Sequence, residues 1–152
     1  MSKPTVYVGD IMTSAVYRVT CDMKVREAIV LLTTHKISGA PVIDNLDKVL
    51  TVLSEGDALR LAASDGLEAT IASCLDKLTK SHKLITLKRD STFAEAYKIF
   101  LKNSIHRIIV IDSNGRLQGV ISRSNILKLL VDKSPAPAAG TPGTGTPGAG
   151  AA

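Results

Sequence analysis

Two short runs in this chain, Ser54-Glu55-Gly56-Asp57 and Ser122-Arg123-Ser124-Asn125, carry the same polar spacing at the point where an apolar run ends. A serine at the start of a helix sets its hydroxyl beside free backbone N–H groups and the positive end of the helix dipole, which together seat a phosphate. An Asp or Asn three residues later lies one turn on and accepts hydrogen bonds from a sugar diol. The carboxylate makes the stronger, charge-assisted pair. The same spacing is also a capping box, which needs no ligand, so both readings stand at this point. His106-Arg107 precedes a second apolar run, and an arginine fork grips phosphate bidentately. Arg123 follows Ser122, whereas Glu55 follows Ser54 and would repel a phosphate. The pair Ser122 and Asn125, with Arg123, His106 and Arg107, is therefore the favoured seat over Ser54 and Asp57. Gly39-Ala40-Pro41 supplies a small, close-approach backbone, which turn-and-strand geometry explains almost as well as a ligand contact does.

The elements that must position these residues come in duplicate. Sliding the chain by 68 residues lays Val19–Leu61 on Leu87–Leu129 without a gap, with identities that include Asp22/Asp90, Glu27/Glu95, Val42/Val110, Asp44/Asp112 and Ser54/Ser122. A repeat dictates architecture before any local signal does. Each copy reads as strand, helix, strand, strand, helix. In the first, Tyr17–Val19 is a short strand and Lys24 to His35 a helix with Val25, Ala28, Ile29 and Leu32 on one face. Pro41–Ile43 and Val49–Leu53 form a hairpin, and a last helix runs from Ser54 to Ala63. The second copy gives Leu84–Leu87, Thr92–Asn103, Ile108–Ile111, Leu117–Ile121 and Ser122 to Val131. Its Asn114-Gly115 is the strongest turn signal in the chain. Asp44 and Asp112 read as turn residues. Between the copies, Leu67–Leu75 is expected as a short helix, parallel to a lead-in at Val8–Met12. Two small α/β halves, each with an apolar sheet face, bury those faces against each other.

Composition narrows the function. The chain has 152 residues, enough for one ordinary core, and a net charge of +5, which reads either as attraction to phosphate-bearing partners such as nucleotides, nucleic acid or anionic lipid, or as a solvated surface. Only 3% of it is aromatic, with no Trp, so the stacking platforms of a single-strand nucleic-acid binder are largely missing. No apolar run approaches the roughly 20 residues of a spanning helix, and Met1-Ser2-Lys3-Pro4 opens no signal peptide, so a cytoplasmic protein without a membrane role is expected. Cys21 and Cys74 fit no metal spacing and read as reduced thiols. His35, His82 and His106 are scattered, and neither a Walker loop nor a nucleophile elbow is present. The stretch from Ser134 to Ala152 consists of Ser, Pro, Ala, Gly and Thr and is expected as a disordered tail.

Taken together, the lead-in Gly9-Asp10-Ile11-Met12-Thr13, the strings Ile37-Ser38-Gly39-Ala40-Pro41-Val42-Ile43-Asp44 and Ile105-His106-Arg107-Ile108-Ile109-Val110-Ile111-Asp112, and Gly119-Val120-Ile121-Ser122-Arg123-Ser124-Asn125 resemble the CBS (cystathionine β-synthase) domain family. The resemblance covers the chain from Val8 to Val131. It implies an α+β fold of two βαββα-type repeats, 8–64 and 84–133, joined by a linker over 65–83, related by a pseudo-twofold axis and packed through their sheets. It also implies clefts that take adenosine-containing ligands: AMP above all, with ADP, ATP and S-adenosylmethionine as further candidates. By the family's ligand motif, Ser122 and Ser54 would contact phosphate, Asn125 and Asp57 would hold ribose, and Gly39-Ala40-Pro41 would lie along the adenine edge. Thr51 departs from that motif, which prefers Gly there. His106-Arg107 resembles the phosphate-contacting pair of the γ subunit of AMP-activated protein kinase. The expectation is a regulatory, non-catalytic module acting as a homodimer on an effector protein. The alternatives are a nucleic-acid-binding surface and a purely structural adaptor.

Overall fold

Capping and turn chemistry write the same order of elements twice along residues 4–133, the part of the chain that the computed structural model describes. A short helix α1 (Val8–Ile11) leads into β1 (Val19–Thr20), α2 (Val25–Thr34), β2 (Gly39–Ile43), β3 (Val49–Ser54) and α3 (Glu55–Ser64). A 3-10 turn (Ala72–Cys74) and α4 (Leu75–Ser81) then lead into β4 (Thr86–Leu87), α5 (Phe93–Lys102), β5 (Arg107–Ile111), β6 (Leu117–Ser122) and α6 (Arg123–Lys133). The expected tail from Ser134 lies outside the described residues.

The two sheets are three-stranded, ordered β1-β2-β3 and β4-β5-β6, each with a parallel outer pair and an antiparallel hairpin. Both hairpins turn on an aspartate. Asp44 Oδ1 accepts from the N–H groups of Leu46 and Lys48 at 2.8 and 3.0 Å, and Asp112 Oδ1 accepts from those of Asn114 and Arg116 at 2.8 and 2.9 Å. Both turns also need one left-handed residue. Gly115 takes it at φ 80°, while its counterpart Asp47 takes it at φ 63° against the preference of an L side chain.

Each half has its own core, one built on Val25, Leu32, Val42 and Leu53, the other on Ala96, Ile108, Val110 and Ile121. A third cluster of Ile43, Val49, Ile109, Leu117 and Val120 lies between the two sheets and joins them. The hairpins also meet through symmetric backbone bonds at their tips: Val49 N–H donates to Gly115 O and Leu117 N–H to Asp47 O, both at 3.0 Å.

The lead-ins cross over. Val8 is buried in the second core, with its N–H on Ser91 O at 2.7 Å and Gly9 N–H on Arg89 O at 2.8 Å. The segment leading into the second copy packs on the first: Ile71 N–H donates to Met23 O, and Ile71, Cys74 and Leu78 fill the first core. This corrects the helix expected over Leu67–Leu75. Residues 67–70 are held outside a helix because their carbonyls serve α2, Ala69 O accepting from Val25 N–H and Leu67 O from Arg26 N–H. Those two donors have no partner within their own helix. The helix therefore starts only at Leu75, after the 3-10 turn.

Candidate functional site

The two strand–helix junctions adopt the same bonded geometry. In the first, the Ser54 N–H and hydroxyl both donate to Asp57 Oδ2 at 2.8 Å, and Asp57 N–H donates back to Ser54 Oγ at 3.1 Å. In the second, Ser122 donates twice to Asn125 Oδ1 at 2.8 and 2.9 Å and receives the Asn125 N–H at 3.2 Å. Both are thus capping boxes. Their surroundings differ. Asp57 is 2% exposed, with Oδ1 accepting from Arg60 Nη2 at 2.9 Å and Oδ2 lying 2.5 Å from His82 Nε2. Burial is the largest influence on the Asp57 carboxyl and pushes its pKa up. The Ser54 N–H, the His82 ring and the Ser54 hydroxyl together outweigh that and hold it below the ordinary aspartate value.

A cavity of about 240 Å³ opens between the halves. Its first wall is β2 and β3, through Ser38, Gly39-Ala40-Pro41 and Ser54. Its second wall is Ile105, His106, Arg107 and Ile109. His82, from the segment joining the halves, completes the lining. Gly39 lies close against β3, where a Cβ would sit 3.1 Å from the Leu53 carbonyl oxygen and would press on that strand. Arg107 crosses between the halves, donating from Nη1 to Gly39 O at 3.1 Å. Burial lowers its pKa from the usual guanidinium value, but an arginine stays cationic under any folded condition. The cavity therefore holds a fixed positive charge beside a hydroxyl and a small-residue strip.

These contacts redraw the grouping expected from sequence. His106 and Arg107 share their cavity with Ser54 and Gly39-Ala40-Pro41 of the other copy, while Ser122 and Asn125 are not on its walls. Arg107 is the ladder neighbour of Ser122 within one sheet, yet its side chain reaches across to the opposite sheet. Arg123 lies behind the second wall, donating from Nε to Ile105 O at 2.9 Å. Glu55 faces outward, into a hollow between α2 and α3, so the repulsion expected from it does not arise in this cavity. Sequence reasoning missed His82. Its counterpart one repeat earlier is Ser14, and that replacement of a small residue by an imidazole is the only local signal.

Among the described residues no group of three His, Cys, Asp or Glu is placed to hold a metal, and no helix is long and apolar enough to cross a membrane.

Residues 8–64 and 72–132 each match the CBS domain. A protein of Methanocaldococcus jannaschii is 33% identical over 140 residues, a match that takes in 88% of this chain and 43% of the relative. The inosine-5'-monophosphate dehydrogenase of Aquifex aeolicus is 31% identical over 107 residues, covering 70% of this chain and 21% of the enzyme. The chain thus spans less than half the length of both relatives. Among solved structures, CBSX2 in complex with AMP superposes with a TM-score of 0.70 at 25% identity, over 84% of this chain and 97% of that one. A CBS domain pair in complex with 5'-methylthioadenosine and S-adenosyl-L-methionine gives 0.68 at 20% identity, over 86% and 100%, a likeness of fold.

Proposed function

The chain belongs to the CBS-domain family, and on that premise we propose that it is a regulatory sensor of adenine nucleotides, AMP foremost, which bind in the cavity between its two copies. The observation that carries this reading is the cavity itself, where Arg107 and His106 from one copy face Ser54 and Gly39-Ala40-Pro41 from the other. In this arrangement Arg107, His106 and Ser54 hold the phosphate, the small-residue strip lies against adenine, and Asp57 accepts from the ribose hydroxyls. The equivalent cleft on Ser122 and Asn125 is the poorer seat, because symmetry sets Ser38 and Gly39 where this one has His106 and Arg107. CBSX2, the structural neighbour that holds AMP, supports the ligand class. A ligand bridging both walls biases how the halves sit, and an effector protein reads that bias without any catalysis by this chain.

Thermal unfolding against AMP, ADP, ATP and S-adenosylmethionine tests the reading. A ligand of the folded state present at about 100 times its dissociation constant adds roughly 2.7 kcal/mol, and AMP is expected to give the largest shift. No shift with any of the four would end the proposal.

The outer helices support homodimerisation. Val30 and Leu59 on α2 and α3, and Leu101, Leu127 and Val131 on α5 and α6, are all exposed, which leaves each helix pair with more than one large apolar residue in solvent. A monomer mass by light scattering at tens of micromolar would overturn this.

A further inference from the structure

The carboxylate that the nucleotide reading assigns to ribose does not line the cavity. His82 does. The imidazole is 26% exposed and bonds the Asp57 Oδ2 from the cavity side, so an entering ligand meets the ring and not the acid. Asn125, the counterpart of Asp57, has no such cover among the bonds of its junction, which all come from Ser122.

We propose that His82 is a latch on the ligand site, holding the acceptor that a ribose diol needs, so that ligand entry must exchange the imidazole for the sugar hydroxyls. The proposal rests on the nucleotide reading above and adds its regulation. His82 is the first residue after α4, in the segment that joins the halves, so the exchange would also release that segment from α3.

The groups around the ring fix the sign of the pH effect. Asp57 and Arg60 come from α3, His106 and Arg107 from the opposite wall, and Lys83 is the chain neighbour. Asp57 is the one anion in that set. Protonating the imidazole turns a neutral donor into a charged one on that carboxylate and tightens the latch.

Adenosine, which carries no titrating phosphate, is the probe, with its affinity measured by calorimetry on the full chain. His82→Ala should fold, since Asp57 keeps Ser54 and Arg60, and melting temperature checks this. It should bind adenosine roughly tenfold tighter than wild type, the scale of one hydrogen bond to a charged group. His82→Gln keeps a neutral donor and should match wild type at pH 8. Wild type should weaken from pH 8 to pH 6 by more than His82→Gln does, since the variant keeps only the other imidazole of the cavity, His106. If His82→Ala binds adenosine equally or more weakly, or if His82→Gln keeps the wild-type pH slope, the latch is overturned while the nucleotide reading survives. If neither adenosine nor AMP binds wild type or His82→Ala, the nucleotide reading falls and the latch falls with it.

Discussion

The Ser54–Asp57 and Ser122–Asn125 junctions share three hydrogen bonds nearly ångström for ångström, yet His82 and Arg60 also bond Asp57, whereas the bonds of the Asn125 junction come from Ser122. The first carries an ionised acid that recruits Arg60 and His82, and the second carries an amide whose oxygen is taken up by Ser122 of the same turn. The backbone geometry is the same in both copies, and three differences, Asp57 against Asn125, Arg60 against Lys128 and His82 against Ser14, separate the two electrostatically. Similar local structure therefore does not make two sites chemically equal. The cavity draws His106 and Arg107 from one copy and Ser54 with Gly39-Ala40-Pro41 from the other, so neither copy forms it alone.

The sharpest way to break the pairing of the copies is at Gly119. A Cβ there would lie 2.6 Å from the Thr13 carbonyl oxygen and 2.9 Å from Met12 Sδ, so Gly119→Ala should cost about 3 kcal/mol in urea unfolding. Its counterpart Thr51 is buried with a 3.5 Å bond to Leu78 O, and Thr51→Ala should cost only about 1 kcal/mol. Equal costs would show that the lead-ins do not constrain the halves differently.

Next in size, Asp57→Ala should cost roughly 2–3 kcal/mol and Asn125→Ala about 1 kcal/mol, because only the first strands charged partners. The difference should depend on pH. Asp57 is held below the ordinary aspartate value, so its contribution is present above about pH 4 and is lost as pH falls through its lower folded value. Melting curves of wild type and Asp57→Asn should converge on acidification.

The ligand distinguishes the walls further. Arg107→Ala should weaken AMP at least about tenfold by calorimetry, and Arg123→Ala, behind the wall, less than about threefold. The reverse order would move the site to the Ser122 junction. The smallest effect belongs to the turns: Asp47→Gly should stabilise by up to about 1 kcal/mol, whereas Gly115→Ala should destabilise by a similar amount.

The repeat, the hairpins and the capping residues were legible in the sequence because each rests on spacing of 2 to 4 residues or on direct self-comparison. Asn114-Gly115 announces its turn through a residue that tolerates positive φ. The helix expected over Leu67–Leu75 was misplaced because its backbone is drafted to cap α2, a demand no local pattern states. The site was misgrouped for a related reason. His106 and Arg107 are adjacent to Ser122 in the ladder, and only the stacking of the sheets turns them toward Ser54. His82 gave only the weak signal of an imidazole where Ser14 stands one repeat earlier, since its meaning lies in a partner 25 positions away.

The crossed lead-ins make the repeats mutually obligate. A chain cut just before Ile71 would yield two pieces, each lacking a plug for its own interior: Val8 would be severed from the second core, and Ile71, Cys74 and Leu78 from the first. Unfolding should therefore proceed as a single cooperative transition, with neither repeat surviving as an autonomous intermediate.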